Sequence, residues 1–170
     1  MEALEEILGQ NIARPELIIP KPFVASGDKI EESPAARIAR NMEVYYHNPW
    51  AMVEDECIFT LDQTDLLNPI KPFPNKKWLE VISQIWKDEN LLALFKSRRM
   101  TITWLMVFLH LWLAMFREGV AIFFVSDKED KSDELVKRAE FIYKYIPDSM
   151  VLKPRIKSSY CYLEFPGLNS

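Results

Sequence analysis

The sequence predicts an α/β fold built around a parallel β-sheet. Two short apolar runs, Leu91–Phe95 and Val120–Val125, are each followed by a longer segment with helical periodicity. Continuous apolar strands are typical of parallel sheets buried on both faces, and consecutive strand–helix units favour right-handed parallel connections. The third observation is a basic turn after the first run, which contains Lys96, Arg98 and Arg99. Together these features predict a sheet with an anion-binding turn at one edge.

The bulk composition is that of a globular domain. A length of 170 residues suggests one domain with a substantial core. Apolar residues make up 49% of the chain and the mean hydropathy is −0.11, which fits a soluble class. The net charge of −4 argues against a module that coats nucleic acid. Cys57 and Cys161 are far apart in sequence and are predicted to be buried or half-buried thiols. The acidic N-terminus does not resemble a signal peptide.

Residues 1–47 are predicted to form an arm with short helices. Glu2–Leu8 is a candidate short helix, and Ala35–Tyr46 is a second candidate with apolar side chains at helical spacing. Between them the chain is interrupted by prolines, which favour an extended arm. The prolines between the two candidate helices are Pro15, Pro20 and Pro22, and Pro34 directly precedes the second helix.

A strand, a loop and a helix are predicted to follow the arm. Cys57–Leu61 is a short β-prone run, and Asp62–Pro74 is a proline-rich loop. Asn75 is a plausible N-cap for a helix from Lys76 to Lys87. The predicted apolar face of this helix comprises Trp78, Leu79, Ile82, Ile85 and Trp86.

The next predicted elements are the strand Leu91–Phe95 and the helix Thr103–Glu118, with Gly119 as a natural C-cap. A membrane span over Thr101–Phe116 is the alternative for this apolar helix. That stretch is shorter than the roughly 20 residues that a span needs, and it contains a histidine, His110. A helix that is apolar all round is also typical of one buried against a sheet, so we expect a core helix and a buried, satisfied His110.

The C-terminal part is predicted to hold a second strand–helix unit and a final strand. Val120–Val125 is the strand, and Ser126–Glu129 has the spacing of a capping box that would open the next helix. Pro147 ends this helix, and the alternating segment Tyr160–Phe165 is predicted as a further strand. The buried stripe of the helix is predicted to comprise Leu135, Val136, Ala139, Ile142, Tyr143 and Ile146.

The basic turn has the geometry of a phosphate-binding loop, because a turn between a strand and a helix points backbone N–H groups at an anion. The standard loop is G-x-x-x-x-G-K-[ST]. Thr103 stands where the magnesium-binding hydroxyl belongs, but Thr101 replaces the second glycine and Ile102 the lysine. As a bare pattern the match is weak, and a solvated structural turn is the alternative.

The chain from Asn48 to Ser170 resembles the large terminase subunits of tailed bacteriophages, the ATP-driven motors that package DNA into capsids. That family has deviant phosphate loops, in some of which an early lysine replaces the usual one. The resemblance rests on four segments: Cys57–Asp62, Asn68–Pro74, Lys96–Met100 with Thr103-Trp104, and Phe124–Asp130.

The resemblance implies an incomplete P-loop NTPase core over residues 48–170, preceded by the arm 1–47, with the nuclease domain absent. It implies that Lys96 is the substitute lysine, and that Thr103 binds Mg²⁺ through ATP. By the same resemblance Gln63 could contact adenine. The implied nucleotide-binding residues are Lys96, Ser97, Arg98, Arg99, Met100, Thr101, Ile102, Thr103 and Gln63.

The implied cofactors are ATP and Mg²⁺. The implied partners of the complete protein are phage DNA, the small terminase subunit and the portal, in a homo-oligomeric ring located in the host cytoplasm and not in a membrane. The family combines an ATPase with an endonuclease. No apolar strand ending in Asp-Glu follows Arg99 in this sequence, so no catalytic residue is assigned. The alternative is a non-catalytic interaction module, or a truncated remnant, that has lost nucleotide binding.

Overall fold

The described part of the chain combines helices with two small antiparallel sheets. A computed structural model describes residues 33–62, 64–97 and 100–170. The chain divides into residues 1–31 and 32–170, and every described residue belongs to the second unit. The helices are α1 (Pro34–His47), α2 (Trp50–Glu54), α3 (Lys77–Asp88), α4 (Ile102–Phe116) and α5 (Glu129–Tyr145). The strands are β1 (Phe59–Leu61), β2 (Ile70–Pro72), β3 (Lys157–Ser159) and β4 (Tyr162–Glu164).

The predicted helix at Ala35–Tyr46 is confirmed as α1, and its start has a clear physical cause. The Ser33 hydroxyl accepts a hydrogen bond from the backbone N–H of Ala36, with 3.2 Å between the two atoms. Pro34 occupies the first turn, where a missing N–H costs nothing. The predicted helix at Glu2–Leu8 lies outside the described residues.

Each sheet is a pair of antiparallel strands. β1 pairs with β2, with Thr60 opposite Lys71, and β3 pairs with β4, with Ser158 opposite Leu163. The strand predictions at Cys57–Leu61 and Tyr160–Phe165 are therefore confirmed over shorter ranges. β2 falls within the segment Asp62–Pro74, which was predicted to be a loop.

The predicted strands Leu91–Phe95 and Val120–Val125 are not formed as strands in this structure, and no parallel sheet is present in its described residues. Both segments are non-helical, and the exposure of their side chains alternates along the chain. No backbone hydrogen bond of the described residues involves 91–97 or 120–125. A strand is defined by its pairing with a neighbour, so these segments show the side-chain alternation of strands without the ladder.

Helix α4 is the centre of the core. It packs against both α3 and α5, as expected for a helix that is apolar on nearly every face. His110 is half-buried rather than fully buried, and its Nδ1 lies 2.7 Å from the carbonyl oxygen of Met106. The buried residues of α4 are Ile102, Leu105, Val107, Phe108, Leu109, Leu111, Trp112, Ala114, Met115 and Phe116.

Two predicted N-caps are wrong. Helix α3 begins after Lys76 rather than Asn75, and α5 begins after Lys128, in both cases without a side-chain cap. The capping box fails because the Ser126 hydroxyl donates to the Asp127 carboxylate, 3.0 Å away. A short polar side chain can bond locally in this way instead of capping the helix.

The predicted apolar face of α3 is only partly covered. Leu79 is buried and Ile82 and Trp86 are half-buried, whereas Trp78 and Ile85 are both exposed.

Within the described residues, no helix combines the length and the hydropathy that a membrane crossing requires.

Candidate phosphate-binding site

Three of the predicted site residues, Lys96, Ile102 and Thr103, line one space at the start of α4. Thr101 is the N-cap, and its backbone has φ 58° and ψ −2°, which is the left-handed region. Among the described residues, no side chain makes a capping bond to the first N–H groups of this helix. The aligned peptides put about half a positive charge at such an end. The helix start therefore offers donors and a favourable potential to an anion.

Thr101 stands where the standard loop has its second glycine. A positive φ is the conformation that glycine adopts freely and that a β-branched residue adopts at a cost. The backbone at Thr101 thus has the local geometry for which a glycine would be suited, although the side chain differs. The sequence alone gave no indication of this, because threonine seldom occupies the left-handed region.

Lys96 and Thr103 line one cavity of about 300 Å³. Lys96 is exposed, and its ammonium group makes no ion pair or hydrogen bond with the described residues. A cation and a hydroxyl therefore share a space beside an uncapped helix start. The other residues that line the cavity are apolar: Leu92, Leu94, Ile102, Met106, Val107, Phe124 and Leu135.

The remaining predicted site residues differ in exposure, and three of them lie outside the described residues. Ser97 is exposed, and Met100 is half-buried against the core. Arg98, Arg99 and Gln63 lie outside the described residues. The predicted contributions of those three side chains to phosphate and adenine binding stay predictions.

Phe124 contributes to the cavity from the second apolar segment. Its place beside Leu92 and Leu94 brings the second predicted strand–helix unit to the same space as the first. The sequence analysis predicted the two segments but did not include Phe124 among the site residues. The sequence signal that could have placed Phe124 at the site is its position on one face of the apolar run Val120–Val125.

Asp127 is the carboxylate that follows this segment. Its oxygens accept hydrogen bonds from the Lys131 ammonium at 2.7 and 2.8 Å and one from Ser126. The hydrogen bonds from Lys131, and then that from Ser126, lower the pKa of Asp127 below its usual value. Asp127 is thus held as a carboxylate by its own helix.

Among residues 33–62, 64–97 and 100–170, no group of three or more His, Cys, Asp or Glu side chains is arranged to hold a metal ion. Cys57 is buried and Cys161 is half-buried, both as free thiols, which confirms the prediction from their spacing.

Comparison with known proteins gives no family for this chain. Neither the models of known protein families nor the curated protein sequences include a match.

Proposed function

We propose that this chain binds the phosphates of ATP at the start of α4, as the N-terminal part of a DNA-packaging motor of the terminase type. The observation that carries the proposal is that Lys96 and Thr103 line one cavity beside an uncapped helix N-terminus. These two side chains and the backbone N–H groups are the donors and ligands that nucleoside triphosphate sites use. The sequence resemblance supports the wider assignment to a motor.

Each residue would have a distinct role toward the nucleotide. The Lys96 ammonium would neutralise phosphate charge, and the first N–H groups of α4 would donate to phosphate oxygens. The Thr103 hydroxyl would be the protein's ligand to a nucleotide-bound Mg²⁺, which when present screens the charge of the phosphates. The left-handed Thr101 would turn the backbone so that these N–H groups face the anion.

The finer fold assignment belongs to the same proposal. In a P-loop NTPase core, Leu91–Phe95 and Val120–Val125 would be strands of a parallel sheet. Two observations support this assignment. The side chains of both segments alternate in exposure as in a strand, and both segments line the same space beside α4. In the complete motor, hydrolysis would also require a carboxylate that activates the attacking water.

The apolar lining favours a second candidate function. Seven of the nine residues that line the cavity are apolar, which suits an interaction module that has lost nucleotide binding better than a phosphate pocket. In that case the basic turn would be a solvated connection between two elements.

A nucleotide titration separates the two candidates. The affinity of the full chain for a fluorescent ATP analogue is measured with Mg²⁺, for the parent and for Lys96→Ala. Removal of one charge-assisted phosphate contact should weaken binding by about 1.5–3 kcal/mol, or roughly ten- to a hundredfold.

Two controls make the result specific. Lys76→Ala removes the same charge at the exposed start of α3 and should leave the affinity unchanged. Arg98→Ala should have a smaller effect than Lys96→Ala, because only Lys96 matches the substitute-lysine position. No measurable binding by the parent chain, or equal effects of all three substitutions, would favour the interaction module.

A further inference from the structure

The hairpin formed by β3 and β4 covers a cavity. Four consecutive residues, Cys161–Glu164, line a space of about 450 Å³. The rest of the lining comes from α4, from α5, from residues 120–124 and from the last two residues of the chain. All three residues of β3 are exposed, whereas β4 lines the cavity. The hairpin therefore separates this space from solvent on one side.

The hairpin is anchored to the core at its base. Phe165, which follows β4, is fully buried, with its ring centroid 5.7 Å from that of Tyr143. Ile156, which precedes β3, packs half-buried against the core. Within the described residues, β3 and β4 pair with each other, and no backbone–backbone hydrogen bond joins residues 157–164 to another element. The hairpin can therefore move about its base without breaking a ladder to a neighbouring strand.

The tip of the hairpin is held from α5. The Asp133 carboxylate, on a residue that is only 5% exposed, accepts a hydrogen bond from the backbone N–H of Cys161 at 3.1 Å. The Lys137 ammonium lies 2.6 Å from the same carboxylate. Glu129, one turn earlier on α5, interacts with Tyr160, the other residue of the tip. A hydrogen bond to a carboxylate is roughly twice as strong as one between neutral groups, so Asp133 makes the stronger contact of a backbone group at the tip.

The backbone of the tip is in an unfavourable conformation. Cys161 has φ 56°, in the left-handed region that costs energy for a residue with a β-carbon. The favoured two-residue hairpin turns have a positive φ at the first central residue, and here only the second, Cys161, has one. Such a conformation persists where surrounding contacts fix it. Loss of the bond from Cys161 to Asp133 therefore favours release of the tip.

We propose that residues 157–164 are a flap that opens about its base and gives access to the 450 Å³ cavity, with Asp133 as the latch at its tip. Opening breaks the contacts of the tip with α5 and keeps the core around Phe165 intact. The flap is a local unit of low stability of the kind that opens without global unfolding. It is independent of the proposed nucleotide site, because it uses α5 and the hairpin rather than the start of α4.

Hydrogen exchange on the full chain tests the latch. In the parent, the paired amides of 157–164 should exchange faster than those of α4, at a rate that low concentrations of urea hardly change. Asp133→Ala should speed exchange of the hairpin by roughly ten- to a hundredfold, because it removes a hydrogen bond to a charged group, and should leave exchange of α4 nearly unchanged. Glu140→Gln, at an exposed position of the same helix, should change neither rate.

A thiol inside the cavity tests whether the flap controls access. Ala139 on α5 lines the cavity and is 5% exposed. Ala139→Cys is made together with Cys161→Ser, which removes the other lining thiol and keeps the backbone N–H that Asp133 holds; Cys57 is fully buried. Labelling of this chain by N-ethylmaleimide should be slow. Addition of Asp133→Ala should raise the labelling rate by about the same factor as the exchange rate of the hairpin.

Three results would overturn the proposal. Equal exchange of the hairpin and of α4 in the parent would mean that the hairpin opens only when the whole domain unfolds. Unchanged exchange of the hairpin in Asp133→Ala would show that the carboxylate is not a latch. Faster exchange without faster labelling would show that the hairpin does not close the cavity. If circular dichroism shows that Asp133→Ala does not fold, Asp133→Asn decides, since it keeps an acceptor without the charge and should give a smaller increase in both rates.

Discussion

The indole nitrogen of Trp112 donates a hydrogen bond to the backbone carbonyl oxygen of Tyr45, with 2.7 Å between the two atoms. In a continuing helix this carbonyl would accept from the residue four positions on, which is Pro49, and proline has no N–H. The Trp112 side chain therefore satisfies a carbonyl that the end of α1 leaves without a donor. The bond ties α1 to the middle of α4.

Trp112→Phe should lower the free energy of unfolding by about 1–3 kcal/mol, because it leaves the buried Tyr45 carbonyl without its partner. Urea denaturation followed by circular dichroism measures the change. Trp78→Phe is the matched control, since Trp78 is 41% exposed and its indole makes no hydrogen bond with the residues that the structure describes. It should change stability by less than about 0.5 kcal/mol. Equal effects of the two substitutions would show that the bond to Tyr45 contributes nothing.

Ser83 presents the opposite case, a buried polar group without a partner. Its side chain on α3 is fully buried, and its hydroxyl makes no hydrogen bond with any described residue. Ser83→Ala should therefore be neutral or should raise the free energy of unfolding by about 1 kcal/mol, helped by the better helix propensity of alanine. Thermal unfolding measures the effect. Marked destabilisation would mean that the hydroxyl has a partner, such as a buried water.

The periodicity of the sequence was sufficient to predict the helices. The spacing of apolar residues located α1, α3, α4 and α5, because each helix buries a stripe against the same core. The caps were predicted less well, since a cap depends on one side chain that can bond elsewhere, as Ser126 does with Asp127. The boundaries of α3 and α5 are therefore shifted from those predicted.

The sheet could not be predicted from local patterns in the same way. An apolar run such as Val120–Val125 specifies a side-chain period but does not specify the neighbour that its backbone bonds to. β1 and β2 pair with each other across a short loop, whereas 91–97 and 120–125 make no backbone pairing with any residue that the structure describes. At the candidate site, the left-handed backbone of Thr101 could not be predicted either, because threonine has no preference for that conformation.

Asp133 connects α5 to the turn between β3 and β4. Its carboxylate accepts the backbone N–H of Cys161 at 3.1 Å and pairs with the Lys137 ammonium at 2.6 Å. The hydrogen bond from Lys137 is the main cause that lowers the pKa of Asp133, burial opposes it, and the bond from Cys161 adds to the lowering. A lowered pKa in the folded state means that the carboxylate is stabilised by folding.

The sign of the pH dependence follows from this shift. The contribution of Asp133 is present above its unfolded pKa of about 3.9 and is lost as the pH falls through the lower folded value. Asp133→Asn should therefore lower the melting temperature at neutral pH and make the loss of stability below about pH 4 less steep. Melting curves across that range measure both effects. Glu140→Gln, at an exposed position of α5, should change neither, and equal pH profiles of the parent and Asp133→Asn would contradict the assignment.

Thr101 allows a test of the loop backbone itself. A left-handed conformation costs a residue with a β-carbon roughly 1–2 kcal/mol, and glycine does not pay this penalty. Part of the gain is offset because glycine loses more entropy on folding, so Thr101→Gly should raise the free energy of unfolding by about 0.5–1 kcal/mol. Thr101→Ala is the control, since alanine keeps the β-carbon and should give no such gain. Urea denaturation of the three proteins measures the difference. If glycine is no better than alanine at this position, the backbone before α4 is not left-handed in solution, and the donor arrangement proposed for phosphate binding loses its support.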